Sequence, residues 1–253
     1  MRYFVKLAYN GIPFFGWQIQ PEQISVQEVL EHTFSLFLKE KIEITGCGRT
    51  DTGVHAKEYF AHFDFDKILN ENELKKLVFR LNSFLPKEIV IYEIRLVSPQ
   101  AHARFDAISR TYCYYVDIEK NPFTYLYAYR VFEKLDIEAM NRAAALLLQN
   151  KDFESFSKVH TEVHHFECEV TESMWYKEDK QLIFRITANR FLRNMVRAIV
   201  GTLLRVGKGK IDVEEFQNII NQKNRKYAGM SVPAHALFLE KVRYPEDIWE
   251  MNM

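Results

Sequence analysis

Two periodicities interleave along the whole chain and constrain its fold more than any other feature. Apolar and polar residues alternate near 2–9, 42–46, 57–65, 88–96, 110–118, 166–177, 181–188 and 237–243, the period-two signature of strands. Apolar residues three and four apart mark helices over Val26–Leu38, Glu71–Ser83, Ile137–Leu148, Phe191–Val206 and Val213–Ile220. Ser25, Asp136 and Asp212 stand where N-caps belong, with side-chain oxygens that accept an otherwise orphaned backbone N–H. Strands and helices each bury one face against a neighbour, so their mixture in both halves predicts α+β or α/β layers, of which α+β is the expected class. The Ser98-Pro99-Gln100 break after a strand predicts two domains, 1–100 and 101–253.

At 253 residues the chain is long enough for a sizeable core, and 47% hydrophobic with 27% charged residues is a folded, not a disordered, composition. The longest apolar run is Ala143–Leu148, too short to span a bilayer, so no membrane partner is expected. The first residues lack the apolar stretch and cleavage site of a signal peptide. Cys47, Cys113 and Cys168 are scattered and odd in number, neither a disulfide framework nor a CxxC site, so reduced thiols and a cytoplasmic location are expected.

Charge carries the first functional signal. Thirty-four Lys and Arg balance thirty-four Asp and Glu, which argues against a protein that binds polyanions over its whole surface. The total hides an uneven distribution. From Gln181 to Lys210 stand Arg185, Arg190, Arg193, Arg197, Arg205, Lys208 and Lys210 with no acid, so this segment is +7 and the rest is −7. On the predicted helix Arg190, Arg193 and Arg197 fall within about 60° of one another and form one basic stripe. A solvated basic face is the plain alternative; the absence of any acid over thirty residues favours a phosphate or nucleic-acid surface.

Residues 46–56 read GCGRTDTGVHA. Glycines around Arg49, Thr50 and Asp51 between two strands describe a tight loop that presents a carboxylate. The same residues also suit a turn in which Asp51 or Thr52 bonds its own backbone. Dinucleotide binding fits poorly, because no helix follows. Asp51 with His55, His62 with Asp64, or the cluster His160, His164 and His165 could ligate a metal, but none has a recognised ligand spacing.

The loop resembles GRTDAGVHA, the catalytic loop of the TruA family of tRNA pseudouridine synthases. Five further segments are similar to that family in the same order: YNGIPFFGWQIQ (9–20), RLNSFLPKEIVI (80–91), AHARFDAISRTYCYYV (101–116), FLRNMVRAIVG (191–201) and VPAHALFLEKV (232–242). Thr52 stands where the family form has Ala, and Ala236 where a Gly is frequent. The resemblance implies a pseudouridine-synthase-like fold of two α/β halves, with largely antiparallel sheets flanked by helices and a central cleft. It also implies a homodimer acting on tRNA, with uridines 38–40 of the anticodon stem-loop as targets. Detaching uracil and rejoining it through C5 oxidises nothing and consumes nothing, so no cofactor and no metal are expected.

By that resemblance Asp51 is the nucleophile, Arg197 its cationic partner, and Tyr112 the ring that stacks on the flipped uracil. A partner cation keeps a desolvated carboxylate ionised, lowering its pKa by roughly 1 to 3 units. By pattern alone Tyr112 suits a core, and Arg197 a phosphate contact. Arg49 is expected to enter the RNA, with a loop salt bridge as the alternative. Arg190, Arg193, Lys208 and Lys210 are expected to meet phosphates, and His55 to brace the loop. Phe14, Phe15, Trp17 and Gln18 lie where the family contacts RNA, with core packing preferred for the two Phe. Two rival classes remain: an RNA-binding module without catalysis and a metal-dependent phosphodiesterase.

Overall fold

The computed structural model describes residues 1–158 and 165–249. His160 and His164 of the candidate histidine cluster lie outside the described residues. In chain order the elements are β1 (Arg2–Tyr9), α1 (Val26–Leu38), β2 (Ile44–Gly46), β3 (His55–Asp64), α2 (Glu71–Phe84), β4 (Ile89–Val97), β5 (Ser109–Asp117), β6 (Tyr129–Arg130), α3 (Ile137–Leu146), β7 (Val170–Glu178), β8 (Gln181–Ala188), α4 (Met195–Gly207), α5 (Val213–Asn221) and β9 (Leu237–Arg243). The fold is a mixed α/β one, with mostly antiparallel strands and five α-helices among the described residues.

The chain divides into two compact units, Met1–Ile108 with Leu239–Met253, and Ser109–Phe238. This differs from the expected 1–100 and 101–253. The end of the chain returns to the first unit because β9 lies beside β3, and Phe4 packs edge-on against Tyr244 and Trp249 at 5.6 and 5.8 Å.

In the first unit the strand order is β4-β1-β3-β9, with β2 also paired to β3. One face of β1 sends Tyr3, Val5 and Leu7 into a core with Phe63 and Phe34 of α1. The Ser25 side chain caps α1 by accepting the Glu28 N–H, and Asn70 and Glu73 form a reciprocal capping box on α2. A register shift between Leu7 and Tyr9 brings Tyr9 opposite Ala56, at the start of β3.

In the second unit the order is β5-β8-β7, with β6 parallel to the end of β5. Asn141 of α3 ties that helix to the sheet, donating to Trp175 O and accepting from Trp175 N. α4 is buried around most of its circumference, as expected for a helix enclosed by other elements.

One predicted element is corrected in a way that matters for function. The helix expected over Phe191–Val206 begins only at Met195, because Asn194 adopts the left-handed conformation (φ 67°). Arg190 and Arg193 therefore precede α4, and the single helical stripe of Arg190, Arg193 and Arg197 does not form. The apolar spacing continues through 191–194 and mimics a helix, while the fixed bond from Asn194 to Ser231 (2.6 Å) supports a turn there.

Candidate active site

The loop that carries Asp51 is built from main-chain bonds. Val54 N–H donates to Asp51 O at 3.1 Å, closing a four-residue turn. Gly53 sits third in it at φ 79°, the sign that position requires in a type II turn and that a residue with a Cβ resists. Asp51 is half-buried, and Thr52 and Arg49 are exposed.

The connection between β1 and α1 holds this loop from one side. Trp17 N–H donates to Thr50 O at 3.2 Å, and Gly53 N–H to Phe14 O at 3.4 Å. Tyr9 and Thr50 share a buried hydroxyl–hydroxyl bond of 2.9 Å. His55 is buried, and its Nδ1 accepts the Gly11 N–H at 3.2 Å, so it braces the loop as expected. The Tyr59 hydroxyl donates to Gly48 O, and its ring stacks on Trp17 at 4.2 Å.

Phe14 and Trp17 are thus core residues, whereas Phe15 is exposed. The bracing by Tyr9, Thr50 and Tyr59 was missed in the sequence. Its only trace there is the aromatic bias of β1 and β3, which reads as core. Arg49 has no ion-pair partner among the described residues, so the loop salt bridge weighed for it is not formed.

In the second unit Tyr112 lies on β5 opposite Ile186 of β8, with its ring edge-on to Phe191 at 5.1 Å. Tyr114 is fully buried, and its hydroxyl donates to Pro233 O. Burial pushes its pKa above the ordinary tyrosine value, so it is a neutral core residue. Arg197, on the first turn of α4, donates from Nε to Val232 O at 2.8 Å, and Val232 N–H returns a bond to Arg197 O at 3.2 Å. These reciprocal bonds fix the root of the guanidinium.

The remaining basic residues divide. Arg190 reaches the His165 ring at 2.9 Å, and Arg193 is exposed. Lys210 is exposed beside Gly209. Lys208 pairs with Glu133 at 2.8 Å, and Arg185 with Glu172 at 3.0 Å. Acids from elsewhere in the unit therefore neutralise part of the +7 segment.

A groove of about 1070 Å³ in the first unit is lined by residues including Lys6, Lys57, Tyr92, Arg95 and Glu240, and by none of the predicted site residues. Among the described residues no three His, Cys, Asp or Glu side chains converge as a metal site would require. No helix of the described residues is long and apolar enough to cross a membrane.

In the first unit a half-buried carboxylate on a braced turn is of the kind that can act as a nucleophile, and in the second unit Arg197 and Tyr112 stand on α4 and β5. Comparison with known proteins specifies the class: residues 143–245 match the family model described as tRNA pseudouridine synthase. The chain is 51% identical to "tRNA pseudouridine synthase A" of Bacteroides thetaiotaomicron, covering 98% of this chain and 92% of that protein. It is 50% identical to the protein of that name from Porphyromonas gingivalis, covering 98% and 99%. For "tRNA pseudouridine synthase A 2" of Clostridium perfringens the identity is 38%, covering 95% and 98%. The chain belongs to the tRNA pseudouridine synthase A family, isomerases that convert uridine in tRNA to pseudouridine.

Proposed function

We propose that this protein isomerises uridines 38–40 of the tRNA anticodon stem-loop, with Asp51 as nucleophile. The observation that carries the reading is the GRTDTGVHA turn, whose backbone is held by Phe14 and Trp17 and whose Thr50 side chain is held by Tyr9, while its aspartate stays half-buried. A flipped uridine meets the Asp51 carboxylate at the sugar C1′ or the base C6. The C1′–N1 bond breaks, uracil turns, C5 bonds to C1′, the C5 proton leaves to solvent, and N1 takes up a proton, so the product is an isomer of the substrate. Asp51 is released unchanged, and no electron or phosphoryl group is transferred.

Arg197 serves as the cation that keeps the carboxylate ionised, and Tyr112 stacks on the extruded base. Such stacking contributes about 1 to 3 kcal/mol per base, comparable with the few kcal/mol that flipping costs. Arg49 supports the flipped state, and Arg190, Arg193, Lys208 and Lys210 follow the phosphates. For Lys208 this requires exchanging Glu133 for RNA. Three buried cysteines outside any disulfide and a tRNA substrate support a cytoplasmic location.

The functional unit is a homodimer, and residues 118–132 support that reading. Asp117 closes the neck of this excursion: its carboxylate accepts from Thr124 and Gln181, and its carbonyl from Val131 N–H. From this closed loop Phe123 (89% exposed), Tyr125 and Phe132 project into solvent. Together with Leu126 and Tyr127 they offer several hundred Å² of apolar surface, an appreciable part of the roughly 800 Å² per partner in a stable interface.

Unmodified tRNA transcript labelled with tritium at uridine C5 tests the activity. Wild type releases the label from positions 38–40 in the presence of chelator, and Asp51→Asn releases at least about a thousandfold less. Release from no tRNA, or equal release by the variant, overturns the proposal.

A further inference from the structure

Arg225, in the connection between α5 and β9, belongs neither to the +7 segment nor to any predicted site. Its side chain is half-buried and makes two bonds, Nη1 to Ala228 O at 3.3 Å and Nη2 to Ser231 Oγ at 3.0 Å. Both acceptors are neutral. Three other partly shielded cations of this chain sit against carboxylates: Arg2 against Asp64, Arg185 against Glu172 and Lys208 against Glu133. Arg225 has none among the described residues, and burial lowers its pKa from the usual arginine value. A shielded guanidinium with donors to spare lacks an anion.

Ser231 adds a donor at the same place. Its oxygen accepts from Arg225 and, at 2.6 Å, from Asn194 Nδ2. Two accepted bonds occupy both lone pairs and leave the hydroxyl proton to be given away. The segment is also rigid, because one side of α4 grips it. Thr202 Oγ1 accepts the Gly229 N–H at 2.8 Å, Arg205 donates to Tyr227 O at 3.1 Å, and Arg197 exchanges two bonds with Val232. The approach is so close that a Cβ on Gly201 would lie 1.9 Å from Met230 O. Donors fixed in place before the ligand arrives are what oxyanion recognition needs.

We propose that Arg225 and Ser231 form a phosphate-binding site that receives one backbone phosphate of the bound RNA. The site deepens the tRNA reading and rests on it. The guanidinium supplies the charge and a planar fork of donors, and the Ser231 hydroxyl fixes the orientation of the phosphate. The same chemistry could also hold free inorganic phosphate.

The test measures tRNA affinity against salt, kcat at saturating tRNA, and the melting temperature, for wild type, Arg225→Gln, Arg225→Lys and Ser231→Ala. Arg225→Gln is expected to reduce the slope of log K against log salt by about 1 and to weaken binding about tenfold near 100 mM salt. Its kcat stays within about twofold of wild type. Arg225→Lys keeps the slope and loses part of the affinity, and Ser231→Ala weakens binding with the slope unchanged.

An unchanged slope in folded Arg225→Gln overturns the proposal, whatever its melting temperature. If that variant does not fold, unchanged binding by Arg225→Lys and Ser231→Ala overturns it instead. Inorganic phosphate at matched ionic strength is the second arm. If it raises the melting temperature of wild type but the tRNA slope does not depend on Arg225, the site serves free phosphate and the RNA assignment fails. Wild type that neither binds tRNA nor releases tritium fails the parent reading, a result separable from every outcome above.

Discussion

At the scale of single residues, backbone conformation and proton binding decide the behaviour of the first unit. Gly53 holds φ 79° within the turn that presents Asp51, the proposed nucleophile. Gly53→Ala is expected to cost about 1 to 2 kcal/mol of stability and to lower kcat by a larger factor than that strain implies, because it displaces Asp51. Urea unfolding and single-turnover kinetics on the same sample compare the two effects. His62 presents the other case. It is buried, its Nδ1 accepts the Ala103 N–H at 3.1 Å, and its ring meets His102 at 4.7 Å. Burial first, then the charges of Arg2 and His102, push its pKa down to about 4, with Asp64 and Asp106 opposing.

An unfolded chain binds a proton at His62 below about pH 6.5, whereas the folded one does so only near 4. Stability from this residue is complete above the unfolded value and is lost as pH falls through that window, on the order of 3 kcal/mol. Unfolding free energies between pH 4 and 8 should fall on the acid side, and less steeply in His62→Gln. Identical pH profiles would contradict this account.

At the scale of elements, the start of α4 governs the second unit. The left-handed turn at Asn194 ends the extended run after β8 and sets Arg197 on the first turn of the helix, where Val232 takes its Nε–H. Asn194→Ala loses both tolerance of φ 67° and the bond to Ser231. The expected cost is roughly 2 kcal/mol, with tRNA affinity reduced as well, because Ser231 is released. Asn194→Gly relieves the backbone strain and recovers about half of the stability but not the affinity; chemical denaturation and filter binding read the two quantities.

α1 and α5 keep the limits that their local pattern sets. Their limits and their caps, Ser25 and Asp212, could be read from apolar spacing and a capping side chain. The helix after β8 was misplaced because residues 191–194 share its apolar spacing, and a positive φ at an asparagine leaves no periodic trace. Asn70 was overlooked as a cap for a related reason: its box with Glu73 is local chemistry outside the apolar pattern.

At the scale of the whole molecule, net neutrality and local charge are reconciled by pairing. Salt bridges such as Arg185–Glu172 and Lys208–Glu133 remove part of the +7 excess, while Arg193 and Lys210 remain exposed. Binding of tRNA should therefore weaken steeply with salt, with a slope that counts fewer phosphates than the seven cations of that segment. Association between copies is the second property at this scale. For the proposed homodimer, wild type is expected to sediment as a dimer and the double variant Phe123→Asp, Phe132→Asp as a monomer, because like charges replace two of the exposed apolar rings. A dimeric variant would move the interface elsewhere.

The sequence by itself determined the layered α+β class, most element limits, and the GRTDTGVHA turn with its aspartate, since periodicity, capping and turn chemistry act between residues close along the chain. Only the tertiary structure decided that the C-terminal strand packs with the first unit, that Tyr9, Trp17 and Tyr59 hold the Asp51 loop, and that Arg225 meets no carboxylate among the described residues. The first two depend on residues tens to hundreds of positions apart. Burial and charge pairing between such residues arise from how the elements stack, and no local pattern in the chain encodes them.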